Sequence, residues 1–312
     1  MATNINIAEL VEQMPETDND ILAKRQAAEA QNTEQKDQKK KPARYGEASK
    51  FTGPDPGAAA KIFETILGGG RGAIVELIGL IRDPSDSDFK NYKAGYLLHG
   101  LAIYAGRPGQ EARRLLFAET VAEQLGQSGP SKAVKAFLIR ELQAAGGKEV
   151  VNALARQLQD EELCEPATQA LLAIREGAGS AMQKALSSAQ GKNRVTIIQA
   201  LGVLRDTGAV KELTVSLAND DSNVRLAAAW ALANMPAPNS WQALLKLADG
   251  SENWERIQAT KACLLLAEKV AGSDKSIAKR IYTQLRDTRK EPSEAYIRAA
   301  AEKGLSAIPA GD

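Results

Sequence analysis

The side chains able to do acid–base or nucleophilic chemistry are few and scattered along the chain. His99 is the only histidine in 312 residues, so an imidazole zinc site or a Ser, His, Asp triad would have to pass through it. It sits inside the apolar-periodic stretch LLHGLAIYA, away from any nucleophile motif, and reads as one polar residue on a helix. Cys164 and Cys263, the two cysteines, fall in apolar helical patterns far apart in sequence. A zinc site wants thiols paired at short spacing, so these two read as small buried apolar groups. GGGRG, Gly68 to Gly72, could offer backbone N–H groups to an anion. It lacks the Lys-Ser/Thr of a phosphate-binding loop and follows a helical pattern, not a strand, which makes it a helix-to-helix turn. Asp220 and Asp221 have the chemistry of metal ligands, but they stand directly before an apolar helical run, where an acidic residue caps the helix. No catalytic residue, metal or cofactor is expected from this inventory.

The elements that hold these residues are helices. After Pro56 apolar residues recur at intervals of three and four, and nothing alternates as a strand would. Breaks fall at GGG (Gly68 to Gly70), DPSDSD (Asp83 to Asp88), GRPG (Gly106 to Gly109), QSGP (Gln127 to Pro130) and MPAPNS (Met235 to Ser240). Aromatic residues make up only 4% against 44% apolar residues in all, a balance suited to thin helices packed closely through Ala and Leu.

The helices repeat. GKNRVTIIQALGVLRD (Gly191 to Asp206) and DDSNVRLAAAWALANM (Asp220 to Met235) end in nearly the same way about 30 residues apart. Aligning similar helices on one leucine gives Leu101, Leu142, Leu171, Leu201, Leu232, Leu264 and Leu305, at separations of 41, 29, 30, 31, 32 and 41 residues. A second helical segment lies between anchors, for example SAMQKALSSA (Ser180 to Ala189), AVKELTVSLA (Ala209 to Ala218) and DKSIAKRIYTQLRD (Asp274 to Asp287). Neither helix of a pair can bury its apolar stripe alone, so the pairs must stack. The expected fold is all-α, an α-solenoid of about seven helical pairs over residues 53–312 (an α–α superhelix).

This pattern resembles the HEAT-repeat family, in the short form of about 30 residues per unit also seen in the HEAT-like repeats of phycobilisome lyases. The most specific piece is DDSNVRLAAAWAL, where Asp220 or Asp221, Val224 and Arg225 match the family's acidic, valine and arginine signature. Arg194 and Arg298 share Arg225's column, whereas Lys135, Cys164 and Ile257 depart from it. The resemblance implies a structural ladder made of Asp220, Asp221, Arg194, Arg225 and Arg298, each arginine tying back to a turn aspartate. Longer stretches such as WERIQATKACLLLAEK look like a HEAT-repeat group of planctomycete bacteria, whose members are often exported.

The resemblance also implies that the second helix of each pair lines a concave, partner-binding surface. Four residues before the anchors stand Leu97, Leu138, Ala167, Ile197, Ala228, Thr260 and Ala301, a core column. Two before the anchors the column turns polar: His99, Arg140, Gln169, Gln199, Trp230, Ala262 and Lys303. Two turns further back, on the same face, lie Tyr92, Ala133, Glu162, Lys192, Asn223, Glu255 and Tyr296. Polar columns are required on any solvated side. An indole among them is what interface hot spots are made of. Tyr92, His99, Arg140, Gln169, Lys192, Gln199, Asn223 and Trp230 are therefore the expected partner-binding residues.

With 40 basic and 39 acidic side chains the net charge is +1, so no global field draws the chain to nucleic acid or anionic lipid. Another protein is the expected partner. A tetrapyrrole lyase-like or chaperone-like subunit is the alternative, and a nucleic-acid-binding HEAT-like protein comes third. Residues 1–52 are polar and mixed in charge, with nine acidic and eight basic residues among the first 50. They read as a disordered tail dispensable for folding, in which INIAELVEQM (Ile5 to Met14) could form a short helix. The start has neither the basic n-region nor the apolar core of a secretory signal. The expected location is the cytoplasm, or outside it if a signal was removed.

Overall fold

Proline and glycine punctuate the helices where the sequence predicts. The computed structural model describes residues 5–13, 56–83, 92–235 and 237–308. Among these every regular element is helical, in two units, Met1–Gly146 and Gly147–Asp312. The fold is an all-α solenoid of stacked helices. The expected break at DPSDSD lies almost wholly outside the described residues.

The first unit contains α1 (Ile7–Glu12), α2 (Pro56–Gly68), α3 (Gly70–Gly79), α4 (Tyr92–Ala105), α5 (Glu111–Gln124) and α6 (Lys132–Ala145). α2, α4 and α6 pack in series on one side, and α3 and α5 on the other. The turn from α2 to α3 needs a left-handed residue, supplied by Gly70 at φ 69°. Ser131 starts α6 by accepting a hydrogen bond from the Val134 amide at 3.3 Å.

Residues 5–13 hold the short helix that INIAELVEQM allowed, and that helix is docked in the first unit. α1 is capped by Asn6 and packs on α3 and α4, with Ile7 fully buried and Val11 nearly so. Its Ile and Val at i and i+4 form an apolar stripe, enough to dock one and a half turns. The rest of that segment, up to residue 52, lies outside the described residues.

The second unit stacks five helical pairs: α7 (Val151–Ala155) with α8 (Cys164–Ile174), α9 (Ala178–Leu186) with α10 (Gly191–Leu204), α11 (Val210–Ser216) with α12 (Ser222–Asn234), α13 (Trp241–Gly250) with α14 (Asn253–Val270), and α15 (Lys275–Thr288) with α16 (Ala295–Ala307). The second helices α8, α10, α12 and α14 also pack on one another in that order.

Leu101, Leu142, Leu171, Leu201 and Leu232 are each 0% exposed, as core anchors should be. Leu264 and Leu305 are only half-buried. For Leu264 the cause is a one-residue slip of register. The interval pattern buried in α8 (Ala167, Thr168, Ala170, Leu171), α10 (Ile197, Ile198, Ala200, Leu201) and α12 (Ala228, Ala229, Ala231, Leu232) recurs in α14 as Ala259, Thr260, Ala262, Cys263. The anchor of α14 is therefore the thiol of Cys263, a small apolar group, and not the first of the leucines that follow it. Burial raises the pKa of that thiol to about 12, so it stays neutral in the core.

Candidate functional site

The corrected register moves three residues. Counted from Cys263, Arg256 replaces Ile257 in the arginine column, Lys261 replaces Ala262 in the polar column, and Trp254 replaces Glu255 two turns before it. Trp254 is a surface indole that alignment on leucine alone conceals, and it is 66% exposed. The signal that finds it was available in the sequence. Aligning on Cys263 restores both an unbroken run of arginines and a spacing of 31 residues from Leu232.

The arginine column is a set of clamps. Each guanidinium donates to backbone carbonyls in the last turn of the helix before it or in the connection that follows, where acceptors lack an intrahelical partner. Arg194 reaches the Leu186 and Ala189 carbonyls at 3.0 and 3.3 Å, Arg225 those of Asn219 and Asp220 at 2.7 and 2.8 Å. Arg256 reaches Ala248 at 3.3 Å, and Arg298 those of Arg289 and Glu291 at 2.6 and 2.9 Å. Three of the four also reach into the next repeat: Arg194 to Ser216 Oγ at 3.0 Å, Arg225 to both oxygens of Glu255 at 2.6 and 2.7 Å, and Arg256 to Glu294 at 2.7 Å. The Glu255 bonds hold Arg225 more firmly protonated than usual, and the Arg256 bond holds the Glu294 carboxyl below the usual carboxylate range.

The ladder does not run through aspartate carboxylates. Asp221 caps α12, accepting from the Asn223 amide at 2.8 Å, and Asp220 enters only through its main-chain carbonyl. The cause is geometric, since the main-chain carbonyls of the turn already lie within the guanidinium's reach and the side chain of Asp221 is turned to its own helix. A further clamp has no counterpart in the sequence columns. Arg289, the residue that follows α15, is 1% exposed and donates to Asp249 of α13 at 2.6 Å.

The face made by the second helices carries the expected binding residues of this unit, all exposed: Gln169 on α8, Lys192 and Gln199 on α10, Asn223 and Trp230 on α12. Lys192 lies 3.9 Å from Glu165. Trp254 and Lys261 on α14 extend the face, and Tyr296 and Lys303 occupy the same columns on α16 and are also exposed. Between α10, α12 and α14 this face forms a groove of about 480 Å³, lined by Val195, Gln199, Asn223, Trp230, Trp254, Gln258 and Lys261 among others.

Trp230 is 39% exposed; it is neither a core residue nor a free one. Its ring lies across Gly202 of α10. A Cβ at Gly202 would stand 2.6 Å from Trp230 Cζ3 and 2.9 Å from the Ala231 backbone. The Asn234 amide donates to the Gly202 carbonyl at 2.7 Å, which holds the two helices at that close approach.

Tyr92, His99 and Arg140 belong to the first unit. Tyr92 is the first residue of α4. His99 Nδ1 shares a hydrogen bond with Glu141 Oε2 at 2.9 Å. The Glu141 carboxyl is 2% exposed; burial raises its pKa, and His99 and Arg140 pull it part of the way back. Arg140 is exposed, with its guanidinium 6.0 Å from the centre of the Phe137 ring. Among the described residues no group of three His, Cys, Asp or Glu side chains is placed to hold a metal ion, and no helix is long and apolar enough to cross a membrane.

Residues 180–264 match the family profile of HEAT repeats. No curated protein sequence matches the chain. Among solved structures the chain is similar to the complex of CpcE and CpcF of phycocyanin lyase from a Nostoc species, at 17% identity over 77% of this chain and 94% of that one, with a TM-score of 0.36. It is similar to an engineered protein at 19% identity over 82% and 74% of the two chains, TM-score 0.43. It is similar also to human deoxyhypusine hydroxylase in complex with glycerol, at 17% identity over 81% and 91%, TM-score 0.33. At these identities and TM-scores none of the three carries an argument about activity or partner.

Proposed function

We propose that this chain, whose residues 180–264 match HEAT repeats, works as a non-enzymatic HEAT-repeat scaffold that binds another protein on the concave face lined by its second helices. The observation that supports this reading most is the pair of exposed indoles, Trp230 and Trp254, on the adjacent helices α12 and α14 at one groove. Water solvates such large apolar surfaces poorly, and aromatic side chains in partly enclosed pockets dominate protein interfaces. Gln199 and Asn223 line the same groove, and Gln169 and Lys192 are exposed further along that face on α8 and α10, polar residues of the kind an interface rim carries. Arg140 and His99 contribute a corresponding polar surface in the first unit.

The test is capture of a partner from an extract of the native organism, identified by mass spectrometry, with the parent chain and a Trp230→Ala/Trp254→Ala variant. The double variant is expected to lose the partner while its helical circular dichroism stays as in the parent. Retained capture would place the interaction on another surface. A visible absorption band in the purified chain would favour the tetrapyrrole-handling alternative.

A further inference from the structure

The groove between α10, α12 and α14 also says what kind of segment fits it. Its lining supplies three side-chain amides, Gln199, Asn223 and Gln258, one from each helix. An amide offers a donor and an acceptor together, which suits the paired N–H and C=O of a main chain. A helical partner has already satisfied those groups internally, whereas an extended one presents them. Gln199, Asn223 and Gln258 stand two, nine and five positions before the anchors of their helices, so they offer main-chain partners at separate heights of the groove and not as one row.

The rest of the lining gives the occupant's side chains. Val195, Leu226 and Leu265 join the two indoles to make most of the surface apolar, and Lys261 is the one charged residue of the lining; the Asp221 carboxylate reaches the groove's edge only by accepting from the Asn223 side-chain amide at 3.1 Å. A basic segment would set its cation against that ammonium at short range, and an acidic one would pair with it. A nucleic acid strand would need cations following its phosphates, and a single lysine does not provide that track.

We propose that this groove binds an extended, acidic peptide segment of a protein partner, with an aromatic or aliphatic side chain seated between Trp230 and Trp254 and a carboxylate paired with Lys261. The proposal rests on the reading of the second-helix face as the interaction surface and specifies the partner's chemistry there.

The probe is a display library of random twelve-residue peptides selected on the full-length chain, followed by affinity measurement with the selected peptides. Enrichment of Asp or Glu together with aromatic or large aliphatic residues is expected. Lys261→Glu should weaken those peptides at least tenfold and Gln258→Ala severalfold, with the melting temperature unchanged because both side chains are on the surface groove. Enriched Lys or Arg, full affinity in Lys261→Glu, displacement of the peptides by oligothymidylate, or no enrichment at micromolar chain would each overturn the proposal. The Trp230→Ala/Trp254→Ala variant separates the two levels. If it still binds the selected peptides, the face itself is wrong; if it loses them while Lys261→Glu does not, the face stands and the acidic occupant falls.

Discussion

Leu201 and Leu264 look alike in the sequence and differ in what surrounds them. Leu201 is fully buried, so Leu201→Ala removes contacts and leaves a cavity, at a cost of about 2–5 kcal/mol. Leu232→Ala should cost about the same. Leu264, half-buried, should cost clearly less; chemical denaturation of the three variants checks the register, and equal losses would restore Leu264 as the anchor. Glu141 makes a prediction of opposite sign. Its folded pKa is raised by burial, with His99 and Arg140 opposing. The folded state therefore holds that proton more tightly than the unfolded chain, and Glu141's contribution to stability falls as pH rises through the folded pKa. Glu141→Gln keeps a hydrogen-bonding partner for His99 without the buried charge. It is expected to raise the melting temperature at neutral pH and to lose that advantage as the pH falls below the ordinary carboxylate range. Glu294, held low by Arg256, contributes stability above the unfolded carboxylate pKa and loses it on acidification.

At the scale of helices, two devices set how α10, α12 and α14 meet. Gly202 lets Trp230 and the Ala231 backbone come closer than any Cβ would permit. The backbone contact has little room to give, so Gly202→Ala should cost about 1–3 kcal/mol, the usual cost of overpacking. It should also shift tryptophan emission as Trp230 is displaced; an unshifted spectrum with unchanged stability would contradict the packing. The arginine clamps act across the repeat. Arg225→Ala leaves two turn carbonyls, those of Asn219 and Asp220, and Glu255 without their donor. The pair is partly solvated, and the expected loss, about 1–3 kcal/mol, is discounted for that screening. A double-mutant cycle with Glu255→Gln measures the share carried between repeats.

At the scale of the molecule, stacked repeats gain stability from neighbours and not from one central core, so damage should stay local. Removing residues 1–13 exposes the surfaces of α3 and α4 that Ile7 and Val11 cover. Each such side chain is worth about 1.5–3 kcal/mol when fully buried. Amide hydrogen exchange should quicken in α3 and α4 and remain unchanged in α12 and α14. Unchanged exchange throughout would return α1 to the status of a dispensable tail.

The helical class, the repeat and most of its register were present in the sequence because they follow from local causes. Apolar spacing of three and four, glycine and proline breaks and capping residues act within a few positions of where they stand. That is why periodicity alone puts Leu171, Leu201 and Leu232 in the core, and Gln199, Asn223 and Trp230 on an open face. What depended on tertiary structure was which neighbour each side chain meets. In α14, one apolar cysteine followed by three leucines leaves several anchors with equal periodicity. Burial identifies Cys263 as the anchor, and with it Trp254, Lys261 and Arg256; the arginine column and the 31-residue spacing agree with that choice, but apolar periodicity alone does not make it. The ladder's acceptors were likewise invisible, because main-chain carbonyls carry no sequence signature. So was the docking of α1, whose two buried residues find their partners more than sixty positions away, on α3 and α4. Periodicity specifies the face a residue occupies, and contact between elements distant in the chain decides what that face touches.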